Sequence, residues 1–151
     1  MNGISPPRRP SSFRDVFAIS LAHFCHDVYS SFLAPLLPIL RDRLGLGYAA
    51  TGALAVFTQL PSLLNPLFGH LADRVSLRWF VILAPAVTGT LMCSVGLVSD
   101  YVALAFLLLG MGVSIAAFHA PAPAMIGQIA GRRTGTGMSL FMAAGELART
   151  V

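Results

Sequence analysis

The sequence predicts an all-α integral membrane protein. Of its 151 residues, 56% are hydrophobic and only 11% are charged, whereas a soluble domain usually has about 45–50% apolar and about 25% charged residues. The apolar residues gather into stretches of roughly 20, the length with which an α-helix crosses a hydrocarbon core about 30 Å thick. Because lipid offers no hydrogen-bond partners, the backbone polar groups of each stretch must be satisfied internally, which favours helices throughout.

Four apolar stretches are long enough to span a bilayer, and a fifth is cut short at Val151. A polar, proline-rich tail, residues 1–14, precedes them and is expected to lie on the cytoplasmic side of the membrane-embedded part, 15–151. In chain order, the expected spans cover about 16–40, 48–71, 79–98, 101–123 and 137–151. The connections between them are short, so consecutive helices are expected to be antiparallel neighbours.

The last two spans are irregular. Apolar character in the fourth continues to about Ile129, but Pro121 and Pro123 predict that its regular helix kinks or ends near Ala120. The fifth has residues for only about 22 Å of helix, which is too short to cross. The chain is therefore expected to contain helices 1–4 and the start of helix 5 of a larger bundle, as a fragment or a truncated reading frame.

The arginines predict the orientation. All ten basic residues are arginine, and cytoplasmic loops carry an excess of positive charge. Seven lie near span ends on one side and two on the other; the seven are Arg8, Arg9, Arg14, Arg74, Arg78, Arg132 and Arg133, and the two are Arg41 and Arg43. This predicts that the N-terminus lies in the cytoplasm. The protein is expected in the inner (plasma) membrane.

Two further features of the composition exclude other classes of protein. The net charge of +4 does not indicate nucleic-acid binding, because the arginines are scattered at span ends and form no basic face. Cys25 and Cys93 form no CxxC pair, which argues against a redox or zinc-knuckle motif. Each is expected to be a buried, inert thiol.

Asp27 is the strongest candidate for a functional residue. It lies near the middle of the first span, where a carboxylate costs about 2.5–3.5 kcal/mol to insert. His23 falls one helical turn before it on the same face, and His26 lies beside it. The pattern favours a proton relay or a substrate pathway, with a structural hydrogen bond to another helix or a metal site as the alternatives.

Other polar side chains inside the spans are further candidates. Gln59, Ser62 and Asn65 recur at intervals of three and share one helix face; they either make packing hydrogen bonds or line a cavity. His119 stands just before the two prolines. It either caps carbonyls that the kink frees or takes part in substrate or proton binding.

A second carboxylate, Glu146, lies in the fifth span, and Arg149 follows three residues later on the same helix face. The two residues form either a structural ion pair or a titratable site in which the arginine holds the carboxylate charged. No cofactor and no resident metal are expected for any of these groups.

The connection between the second and third spans concentrates charge in a short loop. Asp73 can approach the positive end of a helix or the guanidinium of an arginine. Gly69, Asp73, Arg74 and Arg78 are therefore predicted to form a cytoplasmic gating loop; the alternative is a loop that only fixes topology. These residues resemble the signature G-x-L-A-D-R-x-G-R-[RK], which joins the second and third helices of major facilitator transporters.

The whole chain resembles the N-terminal part of such a transporter and is most similar to the fosmidomycin-resistance type of efflux protein. The second similarity rests on three segments: His23–Asp27, Phe118-His119, and Gly131–Gly135 leading into Ser139–Phe141. The resemblance implies twelve helices in two halves, a central cavity and alternating access. It also implies that Asp73 contacts helices of the second half, which this sequence lacks.

The expected function is proton-coupled efflux of a drug or metabolite, not enzymatic catalysis. The expected partners are the lipid bilayer, a small-molecule substrate, protons and the C-terminal half of the transporter. Three alternatives stay open: an uptake carrier on the same fold, a complete four-helix oligomeric exporter, and a small intramembrane metal or haem protein built on His23, His26, Asp27 and His119.

Overall fold

Helix α1 (Phe13–Ser31) begins at a serine cap. In the computed structural model the described residues are 12–72, 74–76 and 78–150, and they form helices joined by short turns, with no β-strand among them. The side chain of Ser12 accepts a hydrogen bond from the backbone N–H of Asp15 at 3.4 Å. Serine is favoured there because it satisfies an N–H group that the helix start leaves without a partner.

Helix α2 (Leu33–Leu44) continues the path of the first apolar stretch. Only Phe32 separates it from α1. The helix ends at Gly45, which adopts a left-handed backbone conformation with φ of 61° and donates its N–H to the last turn. Glycine reaches that conformation without the steric cost that a side chain brings. Helical structure thus reaches Leu44, beyond the expected span 16–40.

The second apolar stretch folds into three consecutive helical segments: α3 (Tyr48–Gln59), a 3-10 helix (Leu60–Leu64) and α4 (Asn65–Ala72). Pro61 stands at the start of the 3-10 segment. A proline has no N–H to continue the α-helical ladder of α3, so the change of helix type at this position has a local cause.

The third apolar stretch is α5 (Arg78–Ser94), closed by a 3-10 turn, Val95–Leu97. The next helix, α6 (Tyr101–His119), begins at Asp100, whose carboxylate accepts a hydrogen bond from the N–H of Ala103 at 2.8 Å.

Helix α7 (Pro121–Ala130) follows α6 after one residue, Ala120. Pro121 opens α7, where its missing N–H leaves no gap in the hydrogen-bond ladder. Helical structure therefore continues to Ala130 and does not stop near position 123. A 3-10 turn, Gly131–Arg133, leads into α8 (Thr134–Ala148), which begins before the expected position 137.

The outer surface is apolar. Leu63, Trp79 and Phe106 are 77%, 67% and 70% exposed, and large exposed apolar areas mark surfaces that lipid or another protein covers. By length and composition alone, two helical stretches in the described part of the chain qualify as membrane spans, Arg78–Leu97 with 20 residues and Tyr101–Ala148 with 48.

Two clusters of buried apolar residues hold the helices together. One joins α1, α5, α6, α7 and α8 and consists of Val16, Val81, Ala84, Phe118, Ala122, Ile126, Ala130 and Phe141. The other joins α2, α3, α5 and α6 and consists of Leu33, Leu40, Leu54, Met92, Val95, Leu104, Leu108 and Met111. Along the chain, buried Asp27, Thr88 and Ser114 each fall between members of the two clusters. A layer of polar side chains therefore separates the two apolar parts of the interior.

The expectation that both cysteines are buried was wrong, because Cys25 and Cys93 are both exposed. On α1 the inward positions are taken by His23, His26 and Asp27, which are all at most 4% exposed. Cys25 lies two residues before Asp27, about 200° around an α-helix, and so faces outward.

Candidate functional site

A cavity of about 650 Å³ opens beside the polar layer. Its walls come from α1, α2, α3, the 3-10 segment, α4, α6 and the residue that caps α8. The polar groups that face it include four of the predicted site residues: Asp27, Gln59, His119 and Arg149. Ser62 and Asn65 also line it, so the polar face of the second apolar stretch faces the cavity.

Asp27 is the centre of the site. Its side chain is only 2% exposed, and a buried carboxylate is costly unless cations or hydrogen-bond donors surround it. Oδ1 lies 3.2 Å from Nδ1 of His26 and 3.2 Å from Nε2 of His119. Oδ2 lies 3.4 Å from Nε2 of His23 and 3.6 Å from Nη2 of Arg149. Residues distant in the sequence thus converge on one carboxylate.

His23 is held in place by α8. Its Nδ1 donates to the backbone carbonyl of Phe141 at 2.8 Å, and its ring stacks on the Phe141 ring at a centroid distance of 4.0 Å. The opposing position on α8 is Gly145, where a Cβ atom would lie 2.7 Å from Nε2 of His23. Because a carbonyl oxygen only accepts, Nδ1 carries the proton, and Nε2 of a neutral His23 presents its lone pair toward Asp27.

His119 is oriented in the same way by its own helix. Its Nδ1 donates to the carbonyl of Ile115 at 3.0 Å, and its Nε2 lies 3.2 Å from Nε2 of His23. If both rings are neutral, two lone pairs and a carboxylate face one another across these short distances. Such contacts become attractive only when a cation, either a proton or a metal ion, is shared among them.

His26 is connected to a chain of hydroxyl groups that sequence reasoning missed. Its Nε2 lies 3.1 Å from Oγ1 of Thr88, which donates to Oγ of Ser114 at 2.8 Å. Ser114 in turn donates to the carbonyl of Ala84 at 3.2 Å. The carbonyl only accepts, so Ser114 donates its hydroxyl proton to Ala84 and Thr88 donates its own to Ser114. No hydroxyl proton is left for His26, and Nε2 of His26 must therefore donate to Thr88. Its Nδ1 is left to face Asp27.

Glu146 and Arg149 form the predicted pair, with Nη1 of Arg149 donating to Oε1 of Glu146 at 3.2 Å. Arg149 also contacts Asp27, so it can bind either carboxylate. The Glu146 side chain is 67% exposed and does not belong to the cavity lining that the described residues form. It reaches the site only through Arg149.

The described residues of the predicted gating loop lie apart from this site. Asp73 falls outside the described residues. Beyond α4, the N–H of Val75 bonds to the carbonyl of Leu71 at 2.9 Å, and Arg74 and Arg78 are exposed. Among the described residues of the loop, which include half-buried Gly69, none lines the cavity.

Comparison with known proteins identifies the family. A model of the Major Facilitator Superfamily matches residues 19–151. The chain belongs to the major facilitator superfamily. This major facilitator chain is also 28% identical, over 145 residues, to the fosmidomycin resistance protein of Escherichia coli (strain K12). Both resemblances that the sequence predicted are thereby confirmed.

The alignment with the Escherichia coli protein covers 94% of this chain and 35% of that relative. This major facilitator chain therefore spans about a third of the length of the curated relative that it matches. No solved structure matches it. Family membership places the chain among membrane transport proteins.

Proposed function

We propose that this chain carries the cation- and substrate-binding part of a proton-coupled exporter of small molecules that works by alternating access. The observation that carries the proposal is Asp27, a buried carboxylate at the wall of a large cavity that polar and apolar side chains line together. Ionisable groups within membrane helices typically mark substrate or ion pathways. The name of the relative from Escherichia coli, a resistance protein, favours export over uptake.

In this proposal the helices cross the inner membrane four times and begin a fifth crossing. Helices α1 and α2 form the first crossing, α3 to α4 the second, α5 the third, α6 and α7 the fourth, and α8 begins the fifth. The excess of arginine at one set of span ends supports a cytoplasmic position for the N-terminus and for the loop after α4.

A second bundle is the proposed partner of this one. The cavity is lined by amide, hydroxyl and charged groups, and such groups are costly to expose to hydrocarbon. Helices that cover this face would exclude lipid and complete a binding site between two halves that rock against each other. Gly69, Asp73, Arg74 and Arg78 would control the cytoplasmic opening by binding and releasing the ends of those helices.

Coupling is proposed to act through Arg149. With a proton shared among Asp27, His23 and His119, the carboxylate attracts the guanidinium less, and Arg149 swings fully to Glu146. Loss of that proton draws Arg149 back to Asp27 and changes the charge of the cavity wall. The polar side chains of Gln59, Ser62 and Asn65, which also line the cavity, would contact the substrate.

The test uses the two-bundle transporter that contains this chain, in proteoliposomes with a pH-sensitive dye inside. Fosmidomycin, the compound in the relative's name, is supplied as the candidate substrate, and proton movement is recorded. We expect Asp27→Asn to abolish fosmidomycin-dependent proton flux. Asp42→Asn is the matched control, because Asp42 is a 72% exposed carboxylate outside the cavity, and it should keep the flux.

Unchanged flux in Asp27→Asn would remove Asp27 from coupling, and no flux in the unmodified two-bundle protein would contradict proton-coupled export of fosmidomycin. The uptake alternative is decided in oriented vesicles, where the direction of fosmidomycin accumulation under a fixed pH gradient distinguishes the two modes.

A further inference from the structure

We infer that His23, His119 and Asp27 form a binding site for a divalent transition-metal ion, with Zn²⁺ as the best fit. The inference does not depend on the proposed transport function, because it rests on the arrangement of three ligand atoms. Nε2 of His23, Nε2 of His119 and a carboxylate oxygen of Asp27 all lie within 4.8 Å of one another.

The separations match a tetrahedral site. Zinc binds imidazole nitrogen and carboxylate oxygen at about 2.0–2.2 Å, so two ligand atoms of a tetrahedral site lie roughly 3.3–3.5 Å apart. The two Nε2 atoms are 3.2 Å apart. Oδ1 of Asp27 lies 3.2 Å from Nε2 of His119, and Oδ2 lies 3.4 Å from Nε2 of His23. An ion would bond to both histidines and to one of these oxygens, and a rotation of the carboxylate would bring that oxygen within reach of the ion.

Both histidines are prepared in the form that binds metals. A metal-binding histidine usually donates its other ring N–H to a carbonyl or carboxylate, which fixes the tautomer and the ring orientation. Nδ1 of His23 donates to Phe141, and Nδ1 of His119 donates to Ile115. The stacking of His23 on Phe141 further restricts its ring, so the site needs little ordering when an ion arrives.

A second observation also points to a cation here. Oδ2 of Asp27 is a buried side-chain oxygen that accepts no hydrogen bond from the described residues, and Nη2 of Arg149 reaches it only at 3.6 Å. A buried carboxylate oxygen without a hydrogen bond carries a penalty. A divalent ion at the proposed position would bond to this oxygen and would also relieve the repulsion between the two Nε2 lone pairs.

An entry path and a way to release the competing cation are both present. His119 is 29% exposed on its side chain and lines the cavity, as Asp27 does, so an ion in the cavity can reach the open side of the site, where a water molecule can be the fourth ligand. Arg149 lies close to Asp27 and competes with an added cation for its carboxylate, but its side chain is 57% exposed and already bound to Glu146. It can therefore leave Asp27 when the ion binds.

The donor set selects the class of ion. Two imidazole nitrogens and one carboxylate suit Zn²⁺ and its neighbours such as Co²⁺, whereas Ca²⁺ and Mg²⁺ require mainly oxygen ligands. The metal would occupy the place that the proposed function gives to the shared proton, so the two occupants exclude each other.

The experiment measures binding on the purified full chain in detergent at neutral pH. Co²⁺ is added first and its visible absorption recorded, since tetrahedral nitrogen and oxygen ligation gives an intense d–d spectrum; Zn²⁺ is then used to displace it. We expect one ion per chain. His119→Ala and His23→Ala should each weaken binding by at least about 100-fold, since loss of a supporting partner alone costs 10–100-fold. His70→Ala, which removes an exposed histidine on α4, is the matched control and should bind normally.

Two further measurements keep the inference testable if a histidine variant folds poorly. Arg149→Gln keeps all three ligands and removes a positive charge 3.6 Å from Oδ2, so it should bind Zn²⁺ several-fold more tightly. Zn²⁺ should also raise the Tm of the unmodified chain and of His70→Ala, because it binds the folded state, but not that of His119→Ala. Absence of a tetrahedral Co²⁺ spectrum, or equal loss of binding in His70→Ala and His119→Ala, would overturn the inference and leave the proton-coupled proposal standing.

Discussion

Replacing Gly145 by alanine should destabilise the contact between α8 and α1. A Cβ atom at this position would lie 2.7 Å from Nε2 and 3.1 Å from Nδ1 of His23, and it would overlap Cε1 of the same ring. Carbon atoms that pack well are about 3.5–4.0 Å apart. Either the imidazole or the two helices must therefore move, and the ring is confined by its stacking on Phe141.

The size of the effect follows from three opposing contributions. Alanine is better than glycine in a helix interior by about 1 kcal/mol. Overpacking costs about 1–3 kcal/mol, and loss of the bond between His23 and the Phe141 carbonyl costs about 0.5–1.5 kcal/mol. The variant should therefore lose about 0.5–3.5 kcal/mol of unfolding free energy. Each 1 kcal/mol lowers the Tm by roughly 2–4 °C for a chain of this size.

The assay is thermal unfolding in detergent, followed by circular dichroism, with Gly135→Ala as the control on the same helix. No heavy atom lies within 4 Å of a Cβ at position 135, so that variant should be unchanged or stabilised by at most about 1 kcal/mol. If Gly145→Ala proves as stable as Gly135→Ala, the close approach of α8 to His23 is not what holds this interface together.

Three more predictions test other contacts. Gly112→Ala should lose about 1–3 kcal/mol of stability by overpacking, because its Cβ would lie 2.9 Å from Cγ and Cδ of Pro61. Gly110→Ala should keep its stability, because its Cβ would lie 3.8 Å from Cδ1 of Leu91. Equal unfolding temperatures for the two variants would contradict this. Thr88→Val should cost about 1–3 kcal/mol, because it leaves Nε2 of His26 without its acceptor, while Thr90→Val, whose hydroxyl bonds only to Ala86 of its own helix, should be nearly neutral in the same unfolding assay. In intact liposomes, exposed Cys25 of a Cys93→Ser variant should resist a charged, impermeant maleimide, because a thiol in hydrocarbon scarcely forms the reactive thiolate, and it should react after denaturation in SDS; rapid reaction in the intact liposomes would place α1 outside the bilayer.

The helices were predictable because a bilayer restricts the secondary structure that a long apolar stretch can adopt. Long apolar stretches in lipid must satisfy their own backbone hydrogen bonds, so hydropathy alone indicates where helices run. Proline gives equally local information, since its missing N–H acts at its own position. The change of helix type at Pro61 and the break at Ala120 before Pro121 both have such causes. Helix ends were less predictable: the helices that end at Leu44 and Ala130 run past the expected span ends at about 40 and 123.

Part of the site was also visible in the sequence. A charged or imidazole side chain within an apolar stretch is conspicuous, which is why Asp27, His23 and His119 were predicted to carry chemistry. Thr88 and Ser114 gave no such signal, because hydroxyl groups in helices often bond to a carbonyl of the preceding turn. Thr90 does so two residues away from Thr88. Thr88 differs from Thr90 only because side chains of neighbouring helices, His26 and Ser114, lie within hydrogen-bond distance of its hydroxyl.

The sequence by itself determined the helical class, the family and the inventory of ionisable groups, because each depends on composition or on motifs of a few residues. The tertiary structure alone decided which groups meet. Asp27 contacts His119 and Arg149, which lie far from it in the sequence, while Glu146 lies outside the cavity. That outcome depends on how each helix is rotated about its axis, and close packing sets the rotation at contacts such as Gly145 against His23. Separations of 3.2 Å between ligand atoms therefore cannot be read from spacing along the chain.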